Sequence, residues 1–267
     1  NVAVGGKALY ANTTGNKLTA SGYSALASNT TGVYNTASGY HSLIANTTGS
    51  ANMGFGWATL CSNTTGTNNA AVGAGALRSN TTACNNTAIG PYPLQANTTG
   101  NHNTASGMYG LKANTTGACN TVSGYKAGCS NTTGSCNVYL GFAANGSATI
   151  SNAVAIGCGA SATATNDFIL GNSSHQLDIP SGKLKIAGSS GTNGYLLCTN
   201  GSGSVGWTSP QAAAGGVTCS ATGNTYAGDD AAQSITSAAT YNTAFGFCTL
   251  YSVTSGDYNV AVGGYAL

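Results

Sequence analysis

The polar and apolar positions of this chain recur with a 17-residue period. The triplet Asn-Thr-Thr begins at eight evenly spaced positions, the first at Asn12, the second at Asn29 and the last at Asn131. A glycine keeps the same spacing from Gly5 to Gly141, usually with alanine two residues before it and leucine four residues after it. A fixed spacing held over nine units is typical of a repeat architecture.

Each unit predicts short strands joined by turns. Clusters of Asn, Thr and Gly interrupt every apolar stretch, and no 3.6-residue apolar stripe indicates a helix. In steps such as Thr-Ala-Ser-Gly the alanine should point inward and its two neighbours outward, and the glycine should occupy a corner with positive φ. We expect two strand segments in each unit, and the nearly constant alanine predicts a narrow interior.

These features predict an all-β fold, a parallel β-solenoid (β-roll) of 17-residue coils. Each coil would be hydrogen-bonded to the coils above and below it. At ~4.8 Å per coil, nine units would rise roughly 45 Å. A coil lined mainly with alanine buries little apolar area at ~25 cal/mol per Å². Lateral association into a homo-oligomer is therefore expected.

Changes in the spacing divide the chain into four predicted regions. Residues 1–144 carry the 17-residue repeats, and residues 145–171 carry shorter, 14–16-residue coils. Residues 172–216 lose the pattern and predict a connector with short strands, after which residues 217–267 resume it. The chain starts and ends at the same phase of the motif, so we expect a window of a longer protein or one period of a larger array.

The composition excludes several function classes. Charged residues make up 4% of the chain, against about 25% in a typical soluble domain, and the formal net charge is +2. This balance disfavours a nucleic-acid binder, and the absence of a long apolar run predicts no membrane insertion. With three His, five Asp and no Glu, the sequence predicts no catalytic residue, no cofactor and no metal site.

The units Asn-Thr-Ala-x-Gly-x-x-Ala-Leu-x-Ser-Asn-Thr-Thr-Gly resemble repeats of bacteriophage tail-fibre proteins and related bacterial surface proteins. The shorter segment Ala153–Ala164 resembles the head repeats of trimeric autotransporter adhesins. The segments Phe168–Ile186 and Gly191–Trp207 are similar to connectors of tail fibres. The resemblance implies a homotrimeric, left-handed parallel β-roll in an extracellular fibre on a virion or a cell surface.

Aromatic residues recur directly after the repeat glycine and should stack into a ladder. They could bind a carbohydrate strip, or they could pack subunits or corners together. The candidate ladder consists of Tyr23, Tyr40, Trp57, Tyr125 and Phe142.

The Asn-Thr-Thr turns carry two further alternatives. A flat ladder of stacked threonines would suit ice binding. The structural interpretation is that these β-branched side chains pack against each other and form hydrogen bonds in the turns. The same triplets are glycosylation sequons, or they are simply turn chemistry. We favour the structural interpretation in both cases.

Nine cysteines are present without any Cys-x-x-Cys pair, which disfavours a zinc site. Cys119 and Cys136 are one repeat apart and should occupy the same position of adjacent coils. A Cα separation of ~4.8 Å is within disulfide reach, so we predict that this pair can form a disulfide.

The favoured function is a non-enzymatic structural or adhesive fibre that mediates attachment or display. Its partners would be further copies of itself, as a trimer, and a carbohydrate or protein receptor on a cell surface. The alternatives are a self-assembling extracellular filament or sheath subunit and, less favoured, an ice-binding solenoid. A polysaccharide depolymerase is disfavoured because such enzymes usually need a pair of carboxylates and the chain has no Glu.

Overall fold

The computed structural model describes residues 1–174, 196–199, 205–208, 218–219, 223–228, 230–233 and 239–266. The described residues form strands and turns, and none of them is helical. The chain divides into two compact units, Asn1–Asp178 and Ile179–Leu267. The predicted all-β class is confirmed.

The strands of the first unit are mostly three residues long. They are β1 (Val2–Val4), β2 (Thr19–Ser21), β3 (Thr36–Ser38), β4 (Met53–Phe55), β5 (Ala70–Val72), β6 (Thr87–Ile89), β7 (Thr104–Ser106), β8 (Thr121–Ser123), β9 (Val138–Leu140), β10 (Asn145–Gly146), β11 (Val154–Ile156), β12 (Ser161–Ala162) and β13 (Phe168–Leu170).

Eleven of these strands form one parallel sheet in the order β1 to β9, then β11 and β13. Residues at the same position of successive repeats pair directly, as where Thr19 lies opposite Thr36. The step becomes shorter where Val138 pairs with Val154, and shorter again where Val154 pairs with Phe168. The predicted β-solenoid is therefore confirmed, and its last described coils are shorter than the others.

The expectation of two strand segments per 17-residue coil is wrong. Each such coil contains one strand, and the opposite arm alternates left-handed and right-handed backbone, with His41 at φ 57° and Leu43 at φ 52°. The N–H groups of these two left-handed residues reach opposite neighbours, since His41 donates to Tyr23 O at 3.0 Å and Leu43 donates to Thr59 O at 2.9 Å. Both neighbouring coils are thus held by an arm that is not a strand. A second strand pair, β10 with β12, occurs in the shorter coils.

The repeat glycine lies at a corner, as predicted. Gly56 has φ 132°, and a Cβ there would lie 2.9 Å from both the carbonyl carbon and the oxygen of Gly73 in the next coil. Because glycine alone adopts this conformation freely and leaves this space open, it is required at the corner.

The interior is narrow and filled by few side chains. The central strand alanines, such as Ala37 and Ala71, are fully buried, as are the leucines that follow the corner, such as Leu43 and Leu77. Residues on either side of each central alanine face outward, as the alternation predicted.

Two ladders of buried asparagine seal the interior. In the first, Asn63 Nδ2 donates to Asn46 Oδ1 at 2.8 Å and to Gly66 O at 3.1 Å, and the same pair of bonds recurs from coil to coil. In the second, the Asn103 N–H donates to Asn86 Oδ1 at 2.8 Å. Both ladders satisfy polar groups that burial would otherwise leave unpaired.

The Asn-Thr-Thr-Gly turn surrounds one carbonyl of the next coil. The N–H groups of Thr13, Thr14 and Gly15 and the Thr13 hydroxyl all donate to Thr30 O, at 3.0 to 3.1 Å. Successive N–H groups in a turn form such a concavity for a negative partial charge, and here the neighbouring coil fills it. The turn therefore joins coils as well as reversing the chain.

The second unit contains the remaining strands. They are β14 (Leu196–Thr199), β15 (Val205–Thr208), β16 (Thr218–Cys219), β17 (Thr225–Ala227), β18 (Thr243–Phe245) and β19 (Val260–Val262). An antiparallel hairpin joins β14 to β15, inside the predicted connector, most of which lies outside the described residues. Strands β17 to β19 are parallel, with Thr225 opposite Thr243 and Thr243 opposite Val260. These three strands are therefore spaced by 18 and 17 residues.

Candidate functional site

The largest candidate surface is the outward strand face, which we define as the first and third residues of the eleven strands of the parallel sheet. These side chains point away from the interior because the central residue of each strand points into it. Several are large and apolar, including Phe55 at 41% exposure, Ile89 at 48% and Phe168 at 64%. Exposed apolar side chains that form a continuous patch indicate an interaction surface.

The predicted aromatic ladder is exposed but discontinuous. Tyr23 stacks on Tyr40 with ring centroids 5.7 Å apart, and Tyr125 stacks on Phe142 at 5.3 Å. Trp57 follows Tyr40 by one coil, and its ring lies 5.5 Å from the Arg78 guanidinium. The structure therefore brings together two ring pairs and one cation–aromatic pair.

The stacking geometry favours the packing interpretation of this ladder. The planes of Tyr23 and Tyr40 differ by 14°, and those of Tyr125 and Phe142 by 22°, so the rings of each pair turn faces towards each other. A sugar ring stacks on an open aromatic face, and each pair encloses one face of each ring. Carbohydrate binding by these residues remains a prediction.

A second aromatic row escaped the sequence interpretation. Tyr92 and Tyr109 stack at 5.8 Å, one residue further from the corner glycine than the predicted ladder. Tyr109 also approaches Tyr125 edge-on at 6.4 Å, and Lys112 Nζ lies 4.7 Å from the Tyr109 ring centre. Their 17-residue separation was the signal that could have identified this row.

The two threonines of each Asn-Thr-Thr turn differ in role. The first uses its hydroxyl within the stack, as where Thr64 Oγ1 donates to Thr81 O at 3.2 Å. The second is exposed in all eight turns, at Thr14, Thr31, Thr48, Thr65, Thr82, Thr99, Thr116 and Thr133. The second of the two predicted threonine rows is therefore the more exposed one.

The asparagines of the same turns are enclosed. Seven of the eight are fully buried, and their amide nitrogens donate to the neighbouring coil and to the turn carbonyl. An N-linked glycan needs that nitrogen free and exposed. The structure therefore favours the turn-chemistry interpretation of these sequons.

Cys119 and Cys136 occupy the same corner position of neighbouring coils, with φ 59° and 60°. Both are exposed free thiols in the structure. The predicted disulfide between them remains a prediction, which thiol counting in the denatured protein tests.

Charged groups lie off the outward strand face. Within residues 1–174 the only carboxylate side chain is that of Asp167, which accepts the N–H groups of Ala164 and Thr163 at 2.8 Å. These two hydrogen bonds hold the pKa of Asp167 below its usual value. In the described part of the chain, no three His, Cys, Asp or Glu side chains are grouped as metal ligands would be.

Tyr139 is the one buried titratable group with an unpaired polar atom among the described residues. Its ring fills the interior and its hydroxyl has no hydrogen-bond partner. Burial raises its pKa to about 12. The group is therefore held neutral, and its surroundings are apolar packing.

No protein-family model matches the chain, and neither does any curated protein or solved structure. The described residues also contain no helix that is long and apolar enough to span a membrane.

Proposed function

We propose that this chain is a non-enzymatic structural or adhesive fibre protein, part of an extracellular appendage on a virion or a cell. The observation that carries the proposal is the unbroken register of eleven parallel strands, one per coil. At ~4.8 Å per strand, the sheet is roughly 50 Å long. Such a stack separates its two ends by a fixed distance, which suits attachment or display.

The interior supports a role without chemistry. Alanine, leucine and hydrogen-bonded asparagine fill it, and Tyr139, the one group among the described residues whose pKa is strongly raised, is enclosed and neutral. The outward strand face supports association with further copies, for which we propose a homotrimer. A receptor would be a carbohydrate or a protein on a cell surface, met by the exposed side chains of the fibre.

The test is the native mass by light scattering together with electron microscopy of the purified chain. We expect three copies per particle and discrete rods of uniform length. Compact monomers would contradict the fibre. Polymers of indefinite length would favour the alternative, a self-assembling extracellular filament or sheath subunit.

The exposed row of second threonines favours one other candidate, an ice-binding solenoid. Eight hydroxyls repeat at the coil spacing, although their neighbours in the triplet are engaged within the stack. We expect no thermal hysteresis from the purified protein because a single row on a turn is narrow. A clear hysteresis gap that Thr65→Lys abolishes would instead establish ice binding.

A further inference from the structure

The outward strand face carries no charged residue on any of its eleven strands. Its length is roughly 50 Å and its width, with the flanking corners, roughly 15 Å, which gives about 750 Å². A standard protein interface buries about 800 Å² on each partner. The face is therefore large enough for a stable contact with one partner of similar length.

The face is banded along its length. Three consecutive strands, β4 to β6, present an apolar band that includes Phe55, Val72 and Ile89. Strands β9, β11 and β13 present a second one, which includes Leu140, Ile156 and Leu170.

Hydroxyl bands lie on strands with the sequence Thr-x-Ser. They are β2 and β3 before the first apolar band, and β7 and β8 between the two apolar bands. The two short apolar residues of β1, Val2 and Val4, precede the first hydroxyl band. Over all eleven strands, the order of bands from β1 to β13 therefore differs from the order from β13 to β1.

A second copy of this chain fits this pattern over all eleven strands in one direction only. When two copies lie parallel and unshifted, every strand meets its own equivalent, so apolar bands meet apolar bands and hydroxyl bands meet hydroxyl bands. Such a contact brings identical side chains together, which like charges would oppose, and the face has none. With all eleven strands paired antiparallel, β2 and β3 would meet β11 and β9, so hydroxyl bands would face apolar ones. An antiparallel register that matches the bands, β1 to β9 against β9 to β1, pairs only nine strands of each copy.

We propose that the outward strand faces of the copies in this oligomer turn towards one another around a common axis, parallel and coil for coil. This rests on the proposed oligomeric fibre and adds the surface, the direction and the register of its assembly. The apolar bands supply the contact, and the hydroxyl bands fix the register, since a shift by one or two coils buries hydroxyls against apolar side chains.

One other parallel register also matches the bands. A shift of five strands places β4, β5 and β6 opposite β9, β11 and β13, but it pairs only six strands of each copy instead of eleven. The unshifted register therefore buries nearly twice the area. The shifted one would extend the assembly along its axis, as in the filament alternative.

The experiment places a charge on Val72, which is 36% exposed at the centre of the first apolar band. In the unshifted register β5 of one copy faces β5 of the others, so the charge of Val72→Lys alone or of Val72→Glu alone meets apolar side chains and like charges. Each variant should therefore raise the concentration for half-dissociation at least tenfold. Mixing the two variants should restore the native mass. Thr65→Lys, an exposed change off this face, is the matched control and should leave the mass unchanged.

The outcomes separate the surface from the function. An oligomer that keeps its mass in Val72→Lys would overturn the assigned face while leaving the fibre proposal standing. A wild-type monomer would overturn the oligomeric fibre itself. Rescue of Val72→Lys by Ile156→Glu, and not by Val72→Glu, would overturn the unshifted register in favour of the five-strand shift. Circular dichroism of each variant confirms that the coils remain folded.

Discussion

Two stretches of the same solenoid fill the same interior with different side chains. In coils such as those of β5 and β6, a central alanine and a leucine after the corner share the space, as in Ala71 and Leu77. Around β8 and β9, Val122 and Tyr139 take the alanine positions. Gly128 takes the leucine position, and a Cβ on it would lie only 2.9 Å from Tyr139.

The comparison teaches that the volume of the coil is conserved while the residues that fill it vary. A smaller exchange follows the same rule at Gly54, where Ser42 Oγ and Thr59 Oγ1 lie 2.8 Å apart and a Cβ would clash with both. A large residue in one coil is accompanied by a small residue in the adjacent coil, because the fixed spacing of the backbone leaves no empty volume between them.

The largest expected effect on stability concerns the corner glycines, which both stretches contain. Gly56→Ala in the first stretch and Gly124→Ala in the second should each destabilise the protein by about 4 kcal/mol, because φ is positive and a carbonyl of the next coil blocks the Cβ. Denaturant unfolding measures both. Gly6→Ala is the control, since its nearest neighbour is the side chain of Tyr23. A much smaller loss of stability in one of the two variants would show that the two corners are not equivalent.

The next effect concerns what differs between the two stretches. Gly128→Leu should overpack the interior and Tyr139→Ala should leave a cavity, each costing about 3 kcal/mol. The double variant restores the common alanine–leucine pair, so it should lose at least ~2 kcal/mol less than the sum of the single variants. A double-mutant cycle by denaturant unfolding gives this coupling. Strict additivity would show that the two residues do not share one space.

A smaller effect is expected from the asparagine ladder, which runs through both stretches. Asn80→Ala removes bonds of 2.8 Å to Asn63 Oδ1 and 3.0 Å to Ala83 O, and should cost about 2–3 kcal/mol. Asn85→Ala is the matched control, because Asn85 is exposed at the position that Ala51 occupies in another coil. Equal unfolding midpoints for the two variants would contradict the prediction that the hydrogen bonds of the ladder stabilise the protein.

The smallest effect concerns the Tyr139 hydroxyl. Tyr139→Phe removes an unpaired buried polar atom and should stabilise the protein by about 1 kcal/mol. Burial raises the pKa of Tyr139 to about 12, above the usual value near 10, so the unfolded chain ionises first. Below pH 10 the hydroxyl is neutral in both the folded and the unfolded state, so this ionisation costs no stability. As the pH rises from 10 towards 12, only the unfolded chain ionises, and the folded state loses stability.

The phenylalanine variant should therefore lose less stability than the wild type over this pH range. Unfolding curves of both proteins at pH 9 and pH 11.5, on either side of the usual value near 10, measure the difference. Parallel losses in the two proteins would indicate that the hydroxyl reaches solvent.

Much of the architecture could be predicted from the sequence because the repeat itself fixes the register. The corner glycines, the inward alanines and the coil shortening after Gly141 all follow from spacing and side-chain size. The left-handed backbone of Leu43 could not be predicted, since leucine disfavours that conformation on its own. It is stabilised by the hydrogen bond from the Leu43 N–H to Thr59 O of the next coil, which is a tertiary contact.

The surfaces were less predictable than the coil. The aromatic positions after the glycine were found, but ring pairing depends on which adjacent coils carry a ring, so Trp57 stacks on neither pair and pairs with Arg78 instead. The Asn-Thr-Thr pattern also did not reveal that the first threonine bonds within the stack while the second is exposed. Only the hydrogen-bond directions in the folded stack separate them.

The asparagine ladder also determines how the molecule responds to pulling. Each 17-residue coil is joined to its neighbours by its own set of bonds, so tension on one end detaches coils one at a time. Every detached coil releases roughly 60 Å of extended chain, while the stack shortens by only ~4.8 Å. The next 17-residue coil then presents the same asparagine hydrogen bonds to the load, so this part of the molecule lengthens in equal steps under force instead of breaking at a single weakest point.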